Sequence, residues 1–161
     1  MAMVRLLRTE ISEVRPVVRT APLPDDADDP AIWTHPRNPR LSLILGTNKA
    51  RAPRGAIGVF DLSGRMLQRI DGIDQPNNID VAYGFALGRE RVDIAVATER
   101  YASRLRIFRI DPARRRLVDI TDPEGARVFA GESGERAMPM GIALYQAGHG
   151  EVHAIVSRKS G

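Results

Sequence analysis

The sequence predicts an all-β fold built from a repeated unit of about four strands. Short apolar runs rich in Val, Ile and Leu recur between Gly, Pro, Asn and Asp residues, and no long segment carries a helical period. In addition, one strand-like string returns at intervals of several tens of residues, which is the mark of a repeat architecture.

Taken in order, the expected strands are residues 14–19, then 31–34 between Pro30 and Pro36, 42–47 ahead of Asn48, 57–61 after Gly55, and 65–70 between Gly64 and Gly72. Residues 78–83 follow Pro76 and stop at Gly84, 92–98 follow Gly88, 105–110 stop at Pro112, and 116–121 stop at Asp122. The last two, 141–145 and 152–157, flank the pair Gly148 and Gly150. Each run is β-branched or leucine-rich and is stopped by a residue that favours turns.

The repeat is explicit. Leu43-Ile44-Leu45-Gly46-Thr47-Asn48-Lys49 is echoed by Asp93-Ile94-Ala95-Val96-Ala97-Thr98-Glu99-Arg100 and by His153-Ala154-Ile155-Val156-Ser157-Arg158-Lys159. Every copy ends in a hydroxyl residue followed two positions later by a basic one. Ile57-Gly58-Val59-Phe60-Asp61 with Arg65-Met66-Leu67 matches Leu105-Arg106-Ile107-Phe108-Arg109 with Arg116-Leu117, an outer hairpin made twice. A spacing of roughly fifty to sixty residues and about four strands fits one β-propeller blade per repeat. The expectation is therefore about two and a half to three four-stranded blades in residues 25–161, preceded by a segment, 1–24, that completes or covers a blade. Because the third copy reaches Gly161 without its outer hairpin, the chain is expected to be a fragment, a split gene product, or one completed by another chain or by further C-terminal blades.

Composition removes several function classes. With no cysteine among 161 residues, there is no disulfide framework, thiolate metal site or cysteine nucleophile. Residues 1–20 are broken by Arg5, Arg8, Glu10, Glu13 and Arg15, so they hold neither a signal-peptide apolar core nor a membrane span. The formal charge of +4 admits anionic partners, and equally an arginine-rich solvated surface. Aromatic residues at 5% give no stacking platform for single-stranded nucleic acid, so neither nucleic acid nor membrane is an expected partner. His149 and His153 are four apart but read as a turn and a strand residue, a spacing of about 13 Å on a strand and too wide for one metal ion. Gly131-Glu132-Ser133-Gly134 lacks the glycine spacing of a nucleophile elbow and reads as a loop. Arg114-Arg115-Arg116 lies in a hairpin turn, where it could grip phosphate or simply be solvated.

Against the basic background stands one acidic turn, Asp25-Asp26-Ala27-Asp28-Asp29-Pro30. Clustered carboxylates suit calcium, which takes about six to eight oxygens. They suit equally an acidic surface turn bonded to its own backbone. Pro30 occupies the place of the turn glycine of an EF-hand loop and no glutamate follows at the proper spacing, which excludes that motif.

The string Asp28-Asp29-Pro30-Ala31-Ile32-Trp33 with His35-Pro36 and Asn38-Pro39 resembles the opening motif of the β-propeller phytases. The resemblance continues in order through Gly46-Thr47-Asn48-Lys49, Asn77-Asn78-Ile79-Asp80-Val81, Thr98-Glu99-Arg100, Gly141-Ile142-Ala143-Leu144-Tyr145 and Ser157-Arg158-Lys159, covering about residues 25–161. It implies a six-bladed propeller and calcium-dependent hydrolysis of phytate, a small-molecule phosphate ester, with calcium as cofactor. It further implies metal binding by Asp28, Asp29, Asn77, Asn78 and Asp80, and substrate phosphate binding by Lys49, Arg100 and Lys159. Family members are mostly secreted or periplasmic.

The sequence departs from the family pattern at Ala50, where a second lysine is usual, with Arg51 and Arg54 nearby as substitutes. It departs also at Glu99, usually asparagine, and at Gln146, where a substrate-facing His or Arg is usual. No complete catalytic set lies in the chain, because acidic ligands of the family come from later blades, and the chain alone is expected to be inactive. The alternative is a non-catalytic propeller module that binds anionic ligands or a protein partner.

Overall fold

The structure is a computed structural model that describes residues 15–122, 124 and 126–161. Its ten strands form two four-stranded antiparallel sheets and one two-stranded sheet. The first blade runs β1 (Ala27–Trp33), β2 (Leu43–Asn48), β3 (Ala56–Asp61) and β4 (Met66–Asp71), with neighbours paired in chain order. The second runs β5 (Pro76–Leu87), β6 (Glu90–Glu99), β7 (Arg104–Asp111) and β8 (Arg116–Asp119), and β9 (Pro139–Gly148) pairs with β10 (Glu151–Arg158) as the start of a third. The inner strands β1, β5 and β9 lie side by side, as in a propeller.

Period-two alternation builds the packing between blades. Along β6, Ala95 and Ala97 face the first blade, whereas Val92, Ile94 and Val96 face the third. The small side chains admit bulky partners, so Trp33, Leu43, Leu45 and Phe108 fill the first interface with no or almost no exposure. The second interface joins Ile94, Val96 and Leu105 to Ile142, Leu144 and Val156 of the third sheet.

Adjacent inner strands share no backbone ladder, so their buried amides and carbonyls need side-chain partners. Hydroxyl residues near the ends of the second strands supply them. Thr47 Oγ1 accepts from the Asp29 amide (3.0 Å) in its own blade and donates to the Asn77 carbonyl (2.9 Å) in the next. Thr98 repeats both bonds, accepting from the Asn78 amide (3.0 Å) and donating to the Met140 carbonyl (2.8 Å). Ser157 Oγ accepts from the Gly141 amide (2.9 Å), the same bond in the third copy. Carboxylates complete the join: Asp29 Oδ2 accepts from the Ile79 amide (2.9 Å), and Asp80 Oδ2 accepts from the Leu144 amide (2.8 Å). At the rim, the Gln68 amide exchanges two hydrogen bonds with the backbone of Leu117, tying β4 to β8.

Most expected strands are present, several of them longer than expected. Residues 15–19 are a correction: they form no ladder, and Val14 of that expected strand lies outside the described residues. The chain there crosses the first blade, where Leu23 closes on Gly46 and Gly58 and the Ala21 amide bonds the Gly64 carbonyl (2.7 Å). Gly64 is required at φ +83°, since a Cβ would sit 2.0 Å from the Arg19 carbonyl oxygen. The strand expected over 116–121 ends at Asp119, because Thr121 Oγ1 takes the Ile107 amide in place of a ladder bond. His149 and Gly150, at φ +49° and +81°, turn the β9–β10 hairpin, and His153 lies in β10. No helix among the described residues is long and apolar enough to cross a membrane.

Two outcomes follow from these contacts. Thr98→Val, which keeps shape but strands the Asn78 amide and Met140 carbonyl, should lower stability in urea unfolding by about 1–3 kcal/mol, and Thr98→Ser should recover most of that loss. The Asp61 carboxyl is lowered to about 2, first by the Ser63 hydroxyl, which with the Arg65 and Ser63 backbone amides and the Arg65 side chain outweighs burial. A depressed carboxyl pKa stabilises the fold above the unfolded value of 3.8, and this contribution disappears as pH falls through about 2. Ser63→Ala should move the Asp61 titration up towards the ordinary range, read by carbon-detected NMR.

Candidate functional site

The register of the three copies fixes the end of the sheet stack at which the cations emerge. Two residues after each hydroxyl clip comes a basic residue, and its backbone amide bonds the chain just ahead of the inner strand. Lys49 bonds the Asp26 carbonyl (2.7 Å), Arg100 that of Gln75 (3.3 Å) and Lys159 that of Met138 (3.0 Å). Asp28, Asn77 and Met140 are therefore structural equivalents, each two residues beyond that contact. All three basic residues expected from the sequence stand at the same end of equivalent strands.

Their partners differ. Lys49 Nζ lies 2.6 Å from Asp28 and 3.6 Å from Asp26. The Asp28 hydrogen bond raises the Lys49 pKa above its ordinary value, against burial and against the charge of nearby Arg100. Arg100 is only 8% exposed; its Nη2 bonds Asn77 Oδ1 and Met140 Sδ (2.9 Å), while its buried Nε has no partner. Lys159 pairs with Glu135 of the short 3-10 helix Gly134–Ala137.

The oxygens expected to bind metal each have partners within the chain. Asp28 meets Lys49, Asn77 Oδ1 meets Arg100, and Asn78 Oδ1 accepts from the Asn77 amide nitrogen. Asp29 reaches the Ile79 amide, and both oxygens of Asp80 take backbone amides, those of Val81 and Leu144 at 2.8 Å each. Asp26 and Asp28 do converge on one position, but an ammonium group stands there. Among the described residues no three acidic or imidazole side chains come together. Two carboxylates fall short of the roughly six to eight oxygens of a calcium shell, so these residues alone do not make one.

The departures from the family pattern acquire physical roles. Glu99, 2% exposed, accepts from the Asp74 amide (2.8 Å) through Oε1, as Asn48 Oδ1 does from Asp25 (3.1 Å). It therefore holds the loop ahead of β5, and Arg104 (2.6 Å) and Arg106 (3.7 Å) compensate its charge. Arg51 pairs with Asp74 (2.6 Å) and stacks on Tyr101 (3.6 Å), and Arg54 pairs with Asp25 (2.8 Å). Burial disfavours the charged form of Asp74, but the Arg51 side chain and the Ala52 amide outweigh it and lower its pKa. The turn between Arg51 and Gly55 leaves no room for a side chain at its end, since a Gly55 Cβ would lie 2.0 Å from the Ile73 carbonyl oxygen. Gln146 lies towards the opposite end of β9, donating to the Tyr83 carbonyl (2.5 Å), away from the cations.

The motif behind Asp28 and Asp29 proves to be structural. Trp33 is fully buried in the core and donates from Nε1 to Asp93 Oδ2 (2.8 Å). His35 Nδ1 accepts from the amides of Arg37 (3.2 Å) and Asn38 (3.1 Å), shaping the turn that leads to β2. Arg115 of the arginine run is not simply solvated: its Nε donates to the Leu41 carbonyl (3.3 Å), and Arg114 pairs with Asp111 (3.1 Å).

A family model described as Phytase matches residues 7–161. A 3-phytase of Bacillus subtilis (strain 168) is 38% identical over 101 residues, 62% of this chain and 25% of that relative. The chain thus spans about a quarter of the length of the curated relative it matches.

Removing the buried Glu99 charge without replacement, as in Glu99→Leu, should cost about 3–5 kcal/mol, because it strands Arg104 and the Asp74 amide. Glu99→Gln keeps the amide contact and should cost clearly less in the same denaturant titration.

Proposed function

This chain belongs to the β-propeller phytase family, and on that premise we propose that it serves calcium-dependent hydrolysis of phosphate monoesters, with phytate as the substrate. The observation that supports this reading best is the row of basic residues, Lys49, Arg100 and Lys159, set at one end of successive second strands by the same backbone contact. A phosphate monoester dianion needs charge neutralisation more than covalent assistance, so positioned cations are the main protein contribution to its cleavage.

In the proposed reaction water attacks phosphorus, the P–O ester bond breaks, and a proton lost by the attacking water passes to the departing alcohol oxygen. Arg100 binds the phosphate with its planar guanidinium, which suits phosphate oxygens. Lys49 and Lys159, exchanging their carboxylates for substrate oxygens, add point charges on either side. Calcium dependence is part of the proposal and rests on family membership and on the Asp26–Asp28 pair, which supplies a share of the donors. Asp29 and Asp80 join the inner strands that face the cations.

The test is phosphate release from phytate by the full-length protein, with calcium added or chelated. Release should require calcium, and Arg100→Met should reduce kcat/KM by about a hundredfold, the weight of one lost electrostatic contact to the transferring phosphoryl group. Release that continues in chelator contradicts the reading, and phytate binding without release identifies a non-catalytic anion-binding module instead.

A further inference from the structure

The three equivalent inner-strand positions, 28, 77 and 140, carry an aspartate, an asparagine and a methionine, and the basic residue facing each behaves accordingly. Asp28 gives Lys49 a carboxylate at 2.6 Å. Asn77 gives Arg100 one neutral carbonyl oxygen, and no carboxylate forms an ion pair with Arg100 among the described residues. Met140 offers no oxygen in its side chain, and Lys159 reaches away to Glu135. The same register contacts on either side, the amides of Asp29, Asn78 and Gly141 on the three hydroxyls, make this a comparison of like with like.

We infer that in the first two blades this inner-strand position sets how much positive charge is presented to an anion, and that Asn77 is the positioning residue that keeps Arg100 aligned yet un-neutralised. The inference rests on the phosphate-binding reading above and adds what selects the strongest anchor. Burying a guanidinium without a counter-charge is costly, and a phosphate oxygen relieves that cost more than it would at a solvated lysine. Lys49 is already satisfied by Asp28 and must give up that pair before it can meet a phosphate. Arg100 has nothing of the kind to give up. Asn77 serves alignment through its oxygen, and its nitrogen is fixed in the opposite sense by donating to Asn78 Oδ1 and the Met140 carbonyl (3.4 Å).

Two single-atom exchanges test this without metal. Inorganic phosphate is titrated calorimetrically into the full chain in chelator, with thermal unfolding as the check on folding. Asn77→Asp should weaken binding by about tenfold or more, the weight of one charge-assisted contact, because the new carboxylate neutralises Arg100. Asp28→Asn should strengthen binding several-fold by releasing Lys49. If Asn77→Asp does not fold, Asp28→Asn at its exposed position decides alone, and an affinity that fails to rise overturns the inference. If both exchanges leave affinity unchanged while Arg100→Met abolishes it, the inference fails and phosphate binding at this end stands. If phosphate does not bind the unaltered chain, or binds it equally well after Arg100→Met, the inference and the phosphate reading fall together.

Discussion

Three inner strands lie side by side without a backbone ladder between them, and everything else in the structure follows from how their main-chain groups are satisfied. A buried amide or carbonyl without a partner costs about 1–3 kcal/mol, so this join cannot be left to apolar packing. A hydroxyl is well suited to it because it accepts and donates through one atom. Thr47 and Thr98 each take an amide from their own blade and give a proton to the next. Asp29 and Asp80 then collect the amides that the hydroxyls leave over.

This join also fixes where the basic residues stand. A basic residue two positions beyond a clip leaves each blade at the same height and the same end, so the repeat converts a sequence string into a row of cations. In the first two blades the electrostatic character of that row is set by single atoms on the facing strand. Lys49 is matched by a carboxylate, Arg100 is held by an amide, and Lys159 is drawn to a neighbouring helix. Glu99 contributes indirectly, because its buried carboxylate fixes the loop ahead of β5 from which Asn77 is displayed.

The fold was largely legible because period-two alternation and turn residues are local signals, and the repeat multiplies them. Residues 15–19 misled for a physical reason: Val17 and Val18 favour a strand, but a ladder needs a neighbour, and the segment instead lies across the first blade near Gly64. The positions of Lys49, Arg100 and Lys159 were legible for the same reason as the repeat. Their partners were not, since Glu135 lies outside the repeated units and the contrast between Asp28 and Asn77 has meaning only once the strands are in register. The hydroxyl at the end of each copy was visible in the sequence, yet its role needed the neighbouring blade. Both oxygens of Asp80 lie on backbone amides, a contact that the sequence alone does not reveal.

Clipped strands present a graded set of cations at one end of the stack, with Arg100 the least neutralised. A crystal structure of the protein with tungstate, a heavy phosphate mimic located by its anomalous signal, tests this most directly. The strongest peak is expected within hydrogen-bond distance of the Arg100 guanidinium. A peak on the arginine run at Arg114–Arg116, with none at Arg100, would contradict it.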